Sequence, residues 1–394
     1  MAESSQENGS KQLEKELFKY TLECNYEQAK YLITVENVHV DCVDEDGTTP
    51  LQQAAYKGDY KLCKLFLDCG ANVNATTHVS RYSALTFASL SGNIDVVNLL
   101  LEHGASTTSV NSINKTASQM AAFVGNHHIV SIINNYLPIE EIEYFTKIHG
   151  LEKEPKLPAV LSQPVHKLVV ITNINPVKIA MFIQATPVIL DNSIKVARVL
   201  NILSEKMFKD QCNELLSLKY HHLAFVLNAC EKFYLEQKSK CSETTEKFGK
   251  DVLTPLIKRW ICGDKNGFPI GLEKFLRQDV REYPYLECTL FQQLVRTLAT
   301  GNIGEEPSAI SIINEAVTGQ RGFNITTSCV TCSDPNAEKK CSACKSVQYC
   351  DKTCQKLHWF THKNFCAELK KTYEEEKLKE VEEGVENNSE AKEL

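Results

Sequence analysis

Gly47-Thr48-Thr49-Pro50-Leu51-Gln52-Gln53-Ala54-Ala55 opens a stretch that returns twice further along the chain. It leads through Gly58 to Leu62, Leu65, Phe66 and Leu67 and ends at Gly70-Ala71-Asn72-Val73-Asn74. The second copy reads Tyr82-Ser83-Ala84-Leu85-Thr86-Phe87-Ala88, then Gly92-Asn93, Val96-Val97, Leu99-Leu100-Leu101 and Gly104-Ala105. The third runs from Lys115-Thr116-Ala117 through Ala121-Ala122, Gly125-Asn126 and Ile129-Val130 to Ile132-Ile133, and a weaker copy without its opening turn lies at Leu13 to Val40. Gly58, Gly92 and Gly125 stand 34 and then 33 residues apart. A fixed period in this range marks stacked supersecondary units, and an irregular helical bundle has no reason to keep it. The chemistry of each position agrees. Pro50 suits a first helical turn, the paired alanines let two helices approach closely, and the glycines suit helix ends that need a left-handed residue.

These copies resemble ankyrin repeats, about four of them over residues 11–137, with the first and last degenerate. Gln52 replaces the family's usual His and the last copy lacks Pro and Leu, departures expected to weaken the local turns without threatening the fold. By the resemblance, the position after the paired small residues faces the concave side. Here it reads Tyr56, Leu90 and Phe123, an apolar row that would serve as a partner-binding strip, with Lys57 beside it and Arg81 and Tyr82 on a hairpin tip. A helical region folding back to cap the repeats would bury the same row.

The whole chain of 394 residues is long enough for two or three domains, and its 43% apolar and 24% charged residues describe an ordinary globular protein. The expected class is mainly α: a solenoid of repeats, a helical middle and a small C-terminal metal-binding finger. A net charge of −7 argues against broad nucleic-acid binding. No apolar run reaches membrane-spanning length, Met1-Ala2-Glu3-Ser4-Ser5 has no signal-peptide character, and Ala2 stands where myristoylation needs Gly. Seven of the 16 cysteines fall in one cluster, and the other nine are scattered, several on apolar faces. That distribution points to buried thiols in a reducing, cytoplasmic setting rather than to disulfides.

Residues 1–10 are polar and expected to be disordered. Residues 138–325 read as all-helical, with roughly seven or eight helices. Val196, Val199, Leu200, Leu203 and Met207 share one helical face, as do Leu223, Val226, Leu227, Cys230 and Phe233, and Leu286, Leu290, Leu294 and Leu298. Breaks are expected near Pro155/Pro158, Pro176, Pro187, Ser239 to Thr245, Gly263 to Pro269 and Gly301 to Pro307. His221-His222 could be taken for a metal pair, but neighbours in a helix face different sides, so a structural role is expected. Residues 367–394 carry a net of −5 and read as a mostly disordered tail, with Tyr373 to Lys379 extending a helix.

Between the middle and the tail, Cys329, Cys332, Cys341, Cys344, Cys350, Cys354, His362 and Cys366 are packed into 38 residues with the spacing Cys-x2-Cys-x8-Cys-x2-Cys-x5-Cys-x3-Cys-x7-His-x3-Cys. Eight soft ligands in so short a span make two complete tetrahedral zinc sites, with no position left for a substrate. The seventh-place His and the run Gln348-Tyr349-Cys350 to His362-Lys363 and Cys366 closely resemble a MYND zinc finger over residues 329–366. By that resemblance the ligands interleave. Cys329, Cys332, Cys350 and Cys354 would hold one structural Zn²⁺, and Cys341, Cys344, His362 and Cys366 the other, with His358 a non-ligand.

MYND fingers are peptide-binding modules, some taking proline-rich segments. Gln348, Tyr349, Gln355 and Trp359 are the candidate groove, although Tyr349 and Trp359 would equally serve as the core of so small a module. With thiolates and metal counted, residues 328–371 carry about +1 and no Arg, which does not support a nucleic-acid footprint. The order of ankyrin repeats, helical middle and C-terminal finger resembles the ankyrin-repeat and MYND-domain family. That family is associated with delivering signalling proteins to the primary cilium, which implies a non-enzymatic adaptor with protein partners on the ankyrin concave face and MYND groove, cytoplasmic or at the cilium. The alternatives are a MYND-containing corepressor, for which no basic localisation cluster is present, and a lysine methyltransferase, whose Asn-His cofactor motif and catalytic tyrosines would follow the finger, where only a charged tail follows Cys366.

Overall fold

Side-chain caps set the rhythm of the N-terminal part. Asn25, Thr49, Asp59, Ser83, Asn93 and Thr116 each sit just before a helix and accept a backbone N–H of its first turn. The computed structural model describes residues 2–240, 251–264, 267–305, 307–318, 328–335, 337–375 and 377. Two compact units emerge, Met1–Ile142 and Glu143–Leu394.

The first unit is four helix pairs: α1 (Ala2–Leu22) with α2 (Tyr26–Thr34), α3 (Pro50–Lys57) with α4 (Tyr60–Asp68), α5 (Ala84–Ser91) with α6 (Ile94–Glu102), and α7 (Ala117–Phe123) with α8 (His127–Asn134). The odd-numbered helices pack in one row and the even-numbered in a second, and Leu51, Ala54, Leu62, Phe66, Leu85, Ala88, Val96 and Leu100 fill the space between with no exposed surface. Helix α1 is anchored by Leu17, which is fully buried, and Thr21 Oγ1 donates back to Leu17 O at 2.8 Å.

Polar ties run from one repeat to the next. Asn93 caps α6 through Val96 N at 3.0 Å and donates from Nδ2 to Gly58 O at 3.0 Å, and Asn126 Nδ2 donates to Ser89 O at 2.9 Å. Gly58 is left-handed (φ +73), and a Cβ there would meet Asn93 Nδ2 at 2.9 Å. Gln52 does not weaken its turn. It is fully buried, completes a capping box with Thr49, and donates from Nε2 to Ala75 O (2.8 Å) and Tyr82 O (3.0 Å) of the next hairpin.

Helix α9 (Ile139–Glu143) leads along the chain to the second unit, which holds α10 (Ser162–Val169), α11 (Pro176–Ala185), α12 (Pro187–Asp191), α13 (Ser193–Lys209), α14 (Glu214–Lys240), α15 (Thr254–Ile261), α16 (Ile270–Arg281), α17 (Thr289–Thr300) and α18 (Ala309–Thr318). The described residues thus carry more helices here than the seven or eight expected, because short α9 and α12 carry too little periodic pattern to read. Pro176 and Pro187 open helices, and the faces read on α13 and α14 are buried. The third face is displaced. Leu286 is 62% exposed and lies before α17, and Phe291 takes the buried place. The cause is a long-range cap: Glu214 accepts from Thr289 N (2.9 Å) and Leu290 N (2.8 Å) and fixes the helix start.

In the finger, β1 (Lys339–Lys340) pairs antiparallel with β2 (Gln348–Tyr349), and α19 (Lys352–His362) starts at Asp351, whose carboxylate accepts from Cys354 N at 2.7 Å. A further helical run covers 366–375; of the expected tail, residue 376 and residues 378–394 lie outside the described residues. Among the described residues no helix is long and apolar enough to cross a membrane.

Candidate metal centres and docking surfaces

Two tight backbone turns present the first four cysteines. Ser333 N donates to Cys329 O at 2.7 Å and Lys345 N to Cys341 O at 2.9 Å, and Ser333 and Lys345 both adopt positive φ (57° and 59°) to aim the sulfurs inward. The strand pair and the first turn of α19 bring Cys350 and Cys354 to the first turn, while the end of α19 brings His362, with Cys366 following, to the second. Two clusters result: Cys329, Cys332, Cys350 and Cys354, and Cys341, Cys344, His362 and Cys366, the ligand atoms of each lying within 4.8 Å of one another.

The geometry fits zinc. Zn–S bonds of about 2.3 Å at tetrahedral angles put sulfurs about 3.8 Å apart, and a sulfur and an imidazole nitrogen about 3.6 Å apart. Observed Sγ separations are 3.7 Å (Cys332 to Cys350), 3.7 Å (Cys354 to Cys332), 3.3 Å (Cys350 to Cys354) and 3.9 Å (Cys341 to Cys366). His362 Nε2 lies 3.6 Å from Cys344 Sγ and 3.3 Å from Cys341 Sγ. The protein binds two structural Zn²⁺ in these cages, each saturated by four side chains, and their ligands interleave along the chain. His358 is outside both. It stacks on His362 with ring centroids 5.8 Å apart, and burial, reinforced by His362, pushes its imidazole down to about 4. The neutral ring leaves Nδ1 free to accept from Tyr349 Oη at 3.1 Å.

That bond decides the role of Tyr349. At 1% exposure it is core and lines no groove, because a module with few apolar residues (Leu357 and Ala337 among them) must use its aromatic ring for packing. Trp359 is 49% exposed, and Gln348 and Gln355 are half-buried.

The finger is tied to the helical region of its own unit by three successive residues of the first turn. Asn173 Nδ2 donates to Cys332 O (2.9 Å), Asn175 Nδ2 to Ser333 Oγ (3.0 Å), and Lys178 Nζ pairs with Asp334 Oδ2 (3.0 Å). Lys258 lies over the Phe360 ring at 5.8 Å. A cavity of about 420 Å³ remains between them, lined by Phe268, Pro269, Leu272, Asn314, Val330 and His358. None of Asn173, Asn175 or Lys178 is marked in the sequence, since their partners stand 156–159 residues away.

The loop bearing these asparagines is pinned from beneath. His222 Nε2 meets Ile174 O at 2.8 Å and Nδ1 meets Asp279 Oδ2 at 2.5 Å, so both nitrogens donate and the ring is an imidazolium. Burial opposes that charge, but Asp279 and the Ile174 carbonyl outweigh it and raise the pKa. His221 reaches the same Asp279, through the Asp279 backbone carbonyl at 3.3 Å, so the adjacent histidines converge on one partner that spans both faces; no metal cluster among the described residues includes them. Lys219 is fully buried beside them and donates to Val169 O at 2.6 Å.

In the first unit, Tyr56 and Phe123 are exposed (56% and 85%) and Leu90 is half-buried. Lys57 and Arg81 are exposed, Arg81 with φ of 54°. Tyr82 stacks on His78, and Phe87 takes edge contacts from Tyr56 (5.9 Å), His78 (5.3 Å) and Tyr82 (5.5 Å). Sequence reasoning missed Phe87 and His78. The available signal was an aromatic where the neighbouring repeats carry Gln53 and Met120.

Comparison with known proteins agrees with this architecture. Residues 17–111 match the family model for ankyrin repeats in 3 copies, and residues 329–366 match that for the MYND finger. Histone-lysine N-methyltransferase Smyd1 of Mus musculus is 56% identical over 32 residues, 8% of this chain and 6% of that protein. The 26S proteasome non-ATPase regulatory subunit 10 of Dictyostelium discoideum is 38% identical over 81 residues, 20% of this chain and 34% of that one. Dauer abnormal formation protein 25 of Caenorhabditis elegans is 36% identical over 332 residues, 83% of this chain and 84% of that protein. Likeness at that level along most of both chains shows that the chain belongs to the family of Dauer abnormal formation protein 25, an ankyrin-repeat and MYND-finger protein.

Proposed function

We propose that the protein is a non-enzymatic adaptor that holds a protein partner on the Tyr56, Leu90 and Phe123 row and a second, extended proline-rich segment on the Gln348, Gln355 and Trp359 surface of the finger. Ankyrin repeats and MYND fingers are protein-interaction domains. The observation that carries the reading is the saturation of both zinc cages by four side chains each, which leaves no coordination position for a reactive water. The solvent exposure of Phe123, at 85%, supports the first surface. The cytoplasmic setting and the delivery of signalling proteins to the cilium rest on the family resemblance, and the likeness to Smyd1 spans only 32 residues.

Affinity capture with the full chain, a Tyr56→Ala/Phe123→Ala variant and a Trp359→Ala variant tests both surfaces. Each variant should lose a different set of partners, and unchanged capture in both would remove the proposal. Transfer of a labelled methyl group from S-adenosylmethionine to any protein would overturn the non-enzymatic reading, and exclusion of a tagged chain and its partners from cilia would overturn the delivery reading.

A further inference from the structure

The two zinc cages differ in charge. Four thiolates on Zn²⁺ leave the first cage at −2, whereas three thiolates and a neutral imidazole leave the second at −1. An excess of two negative charges in a half-buried site is costly unless a cation or hydrogen-bond donors meet it. We infer that the helical region completes the first zinc site: Lys178 of α11 supplies the counter-charge to its four thiolates, while Asn173 and Asn175 hold the metal-shaped turn against that lysine.

Three observations carry this. Residues 332, 333 and 334 are each engaged by one residue of 173–178, at 2.9, 3.0 and 3.0 Å, so the contact reads one turn of the finger in its closed form. The same turn is closed by its own backbone around the converging cysteines: Cys329 N donates to Asp334 O at 2.8 Å and Ser333 N to Cys329 O at 2.7 Å. Lys178 itself is half-buried. Its Nζ lies 3.0 Å from Asp334 Oδ2, so the positive charge is held against the turn that carries Cys329 and Cys332. Its ammonium is thereby anchored two residues beyond the Cys332 ligand, on the turn of the first cage and not the second. The loop that delivers it is rigid, with Asn175 Oδ1 capping α11 through Val177 N at 2.9 Å and Ile174 O held by the His222 imidazolium at 2.8 Å. The finger is thus not a self-sufficient module, and its first zinc is guarded by a residue about 150 positions upstream.

The test uses the full zinc-loaded chain under N-ethylmaleimide, with peptide mass mapping at early times. The readout is the ratio of labelling at Cys329, Cys332, Cys350 and Cys354 to labelling at Cys341, Cys344 and Cys366. Lys178→Met should raise that ratio about tenfold, equivalent to about 1.4 kcal/mol. Lys178→Arg should leave it within about twofold of the parent, and so should Asp334→Asn, which breaks the ion pair but keeps the cation. Lys178→Gln gives the same reading should Lys178→Met fail to fold. A variant that purifies lacking zinc in the first cage supports the inference; one lacking it in the second overturns it. An unchanged ratio in Lys178→Met overturns it as well. An equal rise in Asp334→Asn would show that Lys178 acts only by docking the finger.

Discussion

Removing Glu273 should loosen two helix ends at once. Glu273 on α16 is 3% exposed; its Oε1 accepts from Arg277 Nε at 2.7 Å, and its Oε2 accepts from Ala309 N, the first residue of α18, at 2.8 Å. Arg277 then donates from its terminal nitrogens to Leu298 O (2.8 Å) and Gly301 O (3.0 Å), closing the end of α17. Glu273→Ala strands a mostly buried guanidinium, a change that costs about 3–5 kcal/mol, and removes a charged cap worth about 1 kcal/mol. The expected local loss is about 4–6 kcal/mol. With two compact units, a single unfolding free energy for the chain is ill-defined, so amide hydrogen exchange at residues 309–313 and near 298–301 is the better measurement. A loss of about 4 kcal/mol corresponds to roughly a thousandfold faster exchange where local opening limits the rate. The double variant Glu273→Leu/Arg277→Met replaces the pair by apolar groups and should recover at least about 1 kcal/mol of the single variant's loss. Exchange in Glu273→Ala within threefold of the parent, or a double variant worse than the single, would refute the reasoning.

Gly58→Ala combines left-handed strain of about 1–2 kcal/mol with displacement of Asn93, and should cost the repeats about 2–3 kcal/mol. Gly70→Ala, with φ +87 and open space around its Cβ, should cost only the strain; equal shifts in thermal midpoint would show that the Asn93 tie contributes nothing. Cys350→Ser should leave at most one zinc per chain by elemental analysis, because structural zinc at about 10–16 kcal/mol in small fingers depends on every ligand. Two zincs retained would break the pairing given above. His222 has its folded pKa raised above the unfolded value near 6.5, so its contribution is fully present below that pH and is lost as pH rises through the folded value. Exchange at 174–178, corrected for the intrinsic pH dependence, should therefore quicken on the alkaline side, and an Asp279→Asn variant should shift that onset to lower pH; a pH-independent profile would contradict the imidazolium assignment.

The repeats and the zinc cages were legible because their determinants are local or strictly spaced. Thr49, Ser83 and Thr116 cap helices a few residues away, and eight ligands within 38 residues have little freedom to pair differently. The failures came where a distant group overrides local pattern. Leu286 fits the spacing of Leu290 and Leu294, yet Glu214 starts the helix beyond it. Gln52 seemed a lost His, yet its amide reaches a hairpin 23 and 30 residues on. His221 and His222 diverge on their own helix, and only the arrival of Asp279 from α16 brings them together.

The same long-range contacts narrow where a partner can bind the finger. On α19, His358 lines the cavity against the helical region and Phe360 lies under Lys258, while Leu357 is core. Trp359 sits between them in sequence, yet it is 49% exposed, and Gln355, one turn earlier, shares its side of the helix. The zinc turn at 332–334 is already engaged by Asn173, Asn175 and Lys178. On the proposed reading, a peptide reaching the finger would meet Trp359 and Gln355 without displacing the helical region. Trp359→Ala should weaken it while the labelling ratio of the first cage stays at the parent value, and a Trp359 variant that also exposed the first-cage thiols would show that the two faces are one coupled structure.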